Sequence, residues 1–231
     1  VNTALVVPVN TLRPLIGAGQ VDVLATGDIQ LTSIVASAAG GGNGAFGGSV
    51  AVNIAEGSVT AALRRSTVYA DGLRVDASVD NTLSARAGSV VVGGFAAGGM
   101  GVTTNVSRMT VLADVDGSTV RAQGAVVIEA DAQTGMSGVA VGGAASVGVA
   151  VVGTGVGNSA ENTVSALIRN TGAATEFGGS DIVTRGSAIV RASGTNVISL
   201  SGSRDALGRS ASSDPGLNLN FTVGSAGIGV A

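Results

Sequence analysis

The chain has 231 residues and a net charge of −3, which comes from 12 basic residues, all Arg, and 15 acidic residues. It contains neither Cys nor His, which excludes a disulfide framework and the usual nucleophilic triads, and its charge does not favour binding to nucleic acid. With 38 Gly, 45% hydrophobic residues and 2% aromatic residues, any core must be thin and built of Val, Ala, Leu and Ile with almost no large rings.

Residues 1–19 are predicted to be an irregular lead-in or the end of a preceding coil, because they include Pro8, Pro14 and Gly17. The chain starts at Val1 in the middle of a pattern, which indicates a section of a longer protein. Residues 20–231 are predicted to form the repeats of a single folded unit.

A motif of Val-x-Ala-x-Gly followed by an alternating apolar strand occurs four times, at 23–31, 68–78, 120–131 and 182–192. Its Gly is expected to form a corner between two short strands, because Gly adopts positive φ at little cost. The four corner glycines are Gly27, Gly72, Gly124 and Gly186, and their numbers differ by 45, 52 and 62. A predicted loop insertion at 172–179 explains the last interval.

Strand alternation within each copy places one set of side chains on an apolar face and the other set on a polar face. The polar face carries residues such as Arg74 and Glu129. The apolar face comprises Ile29 and Leu31, then Leu73, Val75 and Ala77, then Val126, Ile128 and Ala130, and finally Ala188, Val190 and Ala192.

Three long stretches carry no charge, at 29–55, 87–107 and 132–160. Because they recur about once per repeat, we expect stacking to align them in a stripe that contacts another copy or another part of the parent protein. The alternative is that a second sheet of the same chain covers the stripe. In the third stretch, Val147, Val149 and Val151 are predicted to face one way, and Gly148, Ala150 and Val152 the other. Arg at Ala150 and Gly148 is accordingly expected to weaken self-association without unfolding the chain.

A repeat of about 50 residues is typical of either a propeller or a solenoid. Propeller blades usually carry recurrent aromatic anchors, whereas this chain has four Phe, one Tyr and no Trp. We therefore predict an all-β fold, a parallel β-helix (β-solenoid) with a thin core rich in Gly, Ala and Val. With two to three coils in each repeat, each coil would contain roughly 17–25 residues.

Residues 47–53, Gly-Gly-Ser-Val-Ala-Val-Asn, form a Gly-Gly-rich strand, and residues 66–78 form a block that carries the motif. The alternation of such segments over residues 20–200 resembles the repeat region of large bacterial filamentous adhesins, the leukotoxin-type and filamentous haemagglutinin-type surface proteins. The resemblance implies a right-handed parallel β-helix, export across both membranes of a Gram-negative cell, and adhesion or matrix formation outside it. It implies no site residues.

Calcium binding is one functional alternative, since some secreted repeats bind calcium through Gly-Gly-x-Gly-x-Asp. Residues 41–45 match this signature, but Phe46 stands where the Asp should be. The segments 178–181 and 114–117 are each half of a motif. Ordinary turns explain all three better.

Polysaccharide cleavage is a second alternative, because glycoside hydrolysis needs two positioned carboxylates. Asp71, Asp76 and Asp80 could share an outward face, as could Glu129 and Asp131. The chain has no His, no Lys and few aromatic rings on which a sugar could stack, so we interpret these carboxylates as solvated surface charges.

The uncharged run 132–160 is interrupted by Gly, and Val recurs at alternate positions in it, so we expect a buried strand rather than a membrane span.

The expected function is a non-catalytic shaft section of a secreted surface adhesin or filament, on the outer surface of a Gram-negative cell. The alternatives are a self-assembling fibre or matrix subunit and, third, a β-helical polysaccharide enzyme. Expected partners are copies of the chain, other parts of the parent protein, or a host or neighbouring cell surface. We expect no catalytic residue, cofactor or metal.

Overall fold

The computed structural model describes residues 19–170, 180–207, 210–213 and 217–230, and side chains up to residue 199. Within these ranges the chain contains strands, turns and no helix. The strands are β1 (Gln20–Gly41), β2 (Gly44–Arg64), β3 (Thr67–Ala70), β4 (Gly72–Gly93), β5 (Ala96–Asp116), β6 (Thr119–Ala122), β7 (Val126–Ser146), β8 (Val149–Arg169), β9 (Asp181–Thr184), β10 (Ala188–Leu207), β11 (Ser210–Ser213) and β12 (Leu217–Val230).

The fold is a parallel β-helix, as predicted. One sheet has the order β1-β4-β7-β10, a second has β2-β5-β8 followed by β11 and β12, and a short third sheet has β3-β6-β9. We call them sheet B, sheet A and sheet C. Every pairing is parallel. In each coil the chain runs along sheet B, turns sharply, returns along sheet A and closes through sheet C, so that the cross-section is long and flat.

One coil is as long as one whole repeat, so the prediction of two to three shorter coils per repeat was wrong. Gln20 pairs with Gly72 and Gly44 with Ala96, each 52 positions apart. In the first three coils the two long strands have 21 or 22 residues each, because apolar alternation continues through the Gly-rich stretches.

The third coil is longer than the others. Thr119 pairs with Asp181, and Ser118 N donates to Ser180 Oγ, across a separation of 62 residues. The extra length falls between the end of β8 at Arg169 and the start of β9. The predicted insertion at 172–179 lies outside the described residues, as do residues 1–18.

The predicted strand facing is confirmed for the two clear motif copies. Leu73, Val75 and Ala77 are buried between the sheets, and so are Val126, Ile128 and Ala130. In the outer copies the contacts are looser: Ile29 and Val190 are half-buried against the core, whereas Ala188 is exposed. Burial of β-branched side chains on one pleat face provides the main driving force for folding here.

The corner glycines were predicted for the wrong reason, and Gly27 is not a corner. Gly27 lies inside β1, opposite Val79. The Val-x-Ala-x-Gly pattern therefore also occurs within a continuous strand, where it marks no turn. Gly72, Gly124 and Gly186 do lie at corners. Among the described residues, however, positive φ is found only at Arg65 and Gly117.

Close stacking of successive corners explains the corner glycines. A Cβ at Gly124 would approach the carbonyl oxygen of Asp71 to 2.7 Å, and a Cβ at Gly186 would approach the backbone of Gly124 to 2.6 Å. Each corner therefore rests on the corner of the preceding coil, and no side chain fits between them.

The core narrows from sheet C towards the sharp turn. Near sheet C it contains large side chains such as Leu73, Val111 and Ile128. Towards the turn it consists mostly of Ala and Gly, and a Cβ at Gly138 would approach the Val156 side chain to 2.4 Å. The two sheets approach closely in this half because these positions have little or no side chain.

Candidate interaction surface

The three uncharged stretches stack, as expected, and they build the half of the coil next to the sharp turn. Each runs along the second half of a sheet B strand, through the turn, and into the first half of a sheet A strand. The strand register aligns them across three coils. Charged side chains are concentrated in the other half, near sheet C.

The outward side of sheet A in this half carries exposed and half-exposed apolar side chains that no described residue covers completely. Phe46 is 77% exposed, Ile54 56% and Met100 50%. We call this surface the apolar face. Its apolar side chains are Phe46, Val50, Val52 and Ile54 on β2, Met100, Val102 and Val106 on β5, and Val149 and Val151 on β8.

The alternative that a second sheet covers the stripe holds only for its inward side. Ala150 and Val152 are fully buried against sheet B, whereas Val149 and Val151 face outward and are about two-fifths exposed. The prediction that Val149 and Val151 face one way and Ala150 and Val152 the other is thus confirmed. Arg at Ala150 would enter the core, and a Cβ at Gly148 would meet the carbonyl oxygen of Phe95 at 2.3 Å, so the expectation that both tolerate Arg was wrong.

Two Phe side chains each lie over a Gly of the next coil. A Cβ at Gly98 would approach the ring of Phe46 to 2.5 Å, and a Cβ at Gly148 would approach the ring of Phe95 to 3.2 Å. The pairs stack one coil apart, because Phe46 is in register with Gly98. Phe46 and Phe95 therefore cover backbone on the outside rather than filling the core.

A row of alternating charges borders the apolar face. Arg108 Nη1 lies 2.7 Å from Glu56 Oε1 in the preceding coil, and Arg108 Nε lies 3.4 Å from Glu161 Oε2 in the following coil. The hydrogen bond to Glu56, together with the charge of Glu161, raises the pKa of Arg108 above its ordinary value. All three side chains are about half exposed, so these ion pairs contribute little to the stability of the fold. They form a row on the surface in which a positive charge lies between two negative charges.

A second charged group is buried at the end of β5. The Asp114 carboxylate is fully buried and accepts hydrogen bonds from Arg169 Nε at 2.9 Å and Arg169 Nη2 at 2.8 Å, and from Arg64 Nε at 3.3 Å. The hydrogen bond to Asp114 raises the pKa of Arg169, although burial of the guanidinium opposes this. Two guanidiniums from adjacent coils thus compensate one buried carboxylate, which holds the coils in register at this edge.

A ladder of asparagines runs through the interior, and the sequence reasoning missed it. Asn53 Nδ2 donates to Asn105 Oδ1 at 2.9 Å, and Asn105 Nδ2 donates to Asn158 Oδ1 at 2.8 Å. The strand register places Asn220 opposite Asn158. The successive separations of 52, 53 and 62 residues equal the coil lengths, so the recurrence of one polar residue type at this spacing was the signal that could have revealed the ladder.

The ladder is supported by the backbone of sheet B. Asn53 Nδ2 also donates to Ser84 O at 2.8 Å, and Asn105 Nδ2 donates to Ser137 O at 2.9 Å. The amides of Asn53 and Asn105 therefore link neighbouring coils and the two facing sheets at once. Buried amides satisfied in this way fix one register, because a shift by one residue would leave them without partners.

Of the acidic residues considered for polysaccharide cleavage, the strand register brings Asp76 and Glu129 opposite each other on neighbouring strands. Asp71 lies in the turn before β4, Asp76 and Asp80 lie on the outward side of β4, and Glu129 and Asp131 lie on the outward side of β7. Arg74 binds Asp76, and Arg191 binds Glu129. Asp131 accepts from Gln133 Nε2 at 3.2 Å.

The calcium-like segments at 41–45 and 114–117 also have structural explanations, and of the segment 178–181 only residues 180 and 181 are described. Residues 41–44 form the sharp turn between β1 and β2, and Phe46 covers Gly98. Asp114 is bound by Arg, and Ser180 Oγ donates to Arg169 O at 2.6 Å. Across the described ranges, no cluster of three or more His, Cys, Asp or Glu side chains could hold a metal ion.

Comparisons of the chain with models of known protein families, with curated proteins and with solved structures found no match. A search of the described residues for membrane-spanning helices found no helix with the length and hydropathy that this requires.

Proposed function

We propose that this chain is a non-catalytic shaft section of a secreted bacterial surface adhesin or extracellular filament, located on the outer surface of a Gram-negative cell. The observation that supports the proposal best is the in-register stacking of three coils by backbone pairing, the Asn ladder and the Asp114 cluster. Each coil adds about 4.8 Å of length. Further coils of the same kind would extend the rod and hold distal regions away from the cell.

The interior of the rod suits a mechanical role. Amides and guanidiniums link each coil to the next through side chains as well as backbone, so separation of two coils breaks several hydrogen bonds together. The solvent-facing carboxylates on sheet B are bound by Arg or Gln at Asp76, Glu129 and Asp131, and this supports a structural rather than a catalytic role for them.

A self-assembling fibre or matrix subunit is the second candidate, and the exposed apolar face favours it. In a shaft the same face would contact other parts of the parent protein or a host or neighbouring cell surface. The two candidates share the rod and differ in what covers the apolar face.

Labelling of intact cells that produce the parent protein tests the proposed location. Antibodies against the purified chain should label intact cells as strongly as permeabilised cells. Labelling that requires permeabilisation would contradict an outer-surface shaft. Release of reducing ends from bacterial or host polysaccharides by the purified chain would contradict the non-catalytic assignment.

A further inference from the structure

The apolar face has a pattern of large and small side chains that fits a second copy of itself. Along β5 it carries Met100 and Val102, whereas the positions in register on β8 are Gly153 and Gly155. A Cβ at Gly153 would meet nothing closer than 3.9 Å, so β8 is lower than the neighbouring β5 ridge at this position.

We propose that two copies pack through their apolar faces about a two-fold axis that runs parallel to the strands, between β5 and β8. The rods are then antiparallel, and β5 of one copy lies over β8 of the other. Met100 faces Gly153 of the second copy, and Val102 faces Gly155 of the second copy. The same contacts recur on the other side of the axis, as an isologous interface requires.

The charge row supports this position of the axis. Arg108 lies on β5 and Glu161 on β8, at the border of the apolar face. The two-fold operation brings Arg108 of each copy to Glu161 of the other. An axis along β5 itself would instead place Arg108 against Arg108 and Glu56 against Glu161, so charge complementarity selects one of the two placements.

The area of the face sets the strength of the contact. Three strands spaced by about 4.8 Å and nine residues of about 3.3 Å each give a face of roughly 14 Å by 30 Å, or about 900 Å² buried in total by two copies. This area lies in the range of weak, transient interfaces, and each further coil enlarges it. The chain should therefore form a weak dimer, and a longer rod a stronger one.

The inference does not depend on the proposed shaft function, because a rod can serve as a shaft with or without pairing. Sedimentation velocity on the full chain, at concentrations up to about 500 µM, should show a monomer–dimer equilibrium in the high micromolar range. Val102→Arg should weaken association at least tenfold. Val151→Arg, at a more exposed position, should do the same and serves if Val102→Arg does not fold.

Charge reversal tests the position of the axis. Arg108→Glu should weaken dimerisation about five- to tenfold, and the double variant Arg108→Glu with Glu161→Arg should restore it. Thr82→Arg, on the outward side of sheet B, is the matched control and should leave association unchanged. Circular dichroism spectra of all variants should match that of the natural chain.

Three results would overturn the inference. They are a natural chain that remains monomeric at the highest concentration, a Val102→Arg or Val151→Arg variant that is folded and associates normally, and association that continues beyond a dimer. Loss of dimer in Val102→Arg without rescue by the double charge reversal would show that the axis lies elsewhere on the face.

Discussion

Single residues in this fold have roles that depend on which side of a strand they occupy. Val75 is fully buried between the sheets, whereas Arg74, its neighbour, is exposed and bound to Asp76. Hydrophobic burial of one fully enclosed Val stabilises a fold by about 1.5–3 kcal/mol, whereas an exposed ion pair contributes about 0–1 kcal/mol. Substitutions at inward positions of a strand should therefore lower the free energy of unfolding much more than substitutions at the outward positions between them.

Val75→Asp should destabilise the chain by several kcal/mol, because it places an unpaired carboxylate between Leu73 and Ala77 in a closed core. Arg74→Ala should cost less than about 1 kcal/mol. Urea unfolding followed by circular dichroism measures both. Equal losses in the two variants would show that the strand faces the other way.

Whole strands are held in register by elements of the interior that repeat once per coil. Backbone pairing alone allows a parallel strand to slip by two residues without exposing its apolar side chains. The Asn ladder prevents this slip, because the amides of Asn53 and Asn105 have partners on the adjacent coil and on the facing sheet. The Arg64–Asp114–Arg169 cluster acts in the same way at the edge near sheet C.

Asn105→Leu should cost about 2–4 kcal/mol, because it removes the donor to Asn158 Oδ1 and one of the acceptors of Asn53 Nδ2, which keeps its bond to Ser84 O. Thr104→Ala, at the neighbouring outward position, is the matched control and should cost less than about 0.5 kcal/mol. Thermal unfolding of both variants gives the comparison. A double-mutant cycle of Asn105 with Asn158 should yield a positive coupling energy of about 1–3 kcal/mol, and additive losses would argue against a ladder that acts as a unit.

The whole molecule is a flat rod with chemically distinct halves. The half near sheet C has large apolar core residues and most of the charges, and the half near the sharp turn has a core of Ala and Gly and an exposed apolar face. Asn–Asn hydrogen bonds, Arg side chains bound to the buried Asp114 carboxylate, and apolar contacts link the coils. Nothing in this arrangement requires a divalent ion to bring the turns together, unlike a repeat whose turns carry regular Asp ligands.

The chain should accordingly fold without calcium. Its far-UV circular dichroism spectrum and its thermal midpoint should be the same in excess chelator as after calcium is added. The physical reason is that the turn at 41–44 carries no carboxylate and Asp114 is already bound by two Arg side chains. A chain that is disordered in chelator and folds on addition of calcium would contradict this.

The sequence by itself determined the strand class, the inward positions such as Val75 and Ile128, and the alignment of the uncharged stretches, because side-chain alternation and the repeat spacing are local properties. It did not determine the coil length, the place of Gly27 or which residues pair between coils. An alternating pattern of Gly, Ala and Val fits one long strand as well as several short strands. Only the position of the turns decides which of the two forms. The tertiary structure decided this through contacts between side chains one full coil apart, where Asn meets Asn and Arg meets Asp in the space left between two closely packed sheets.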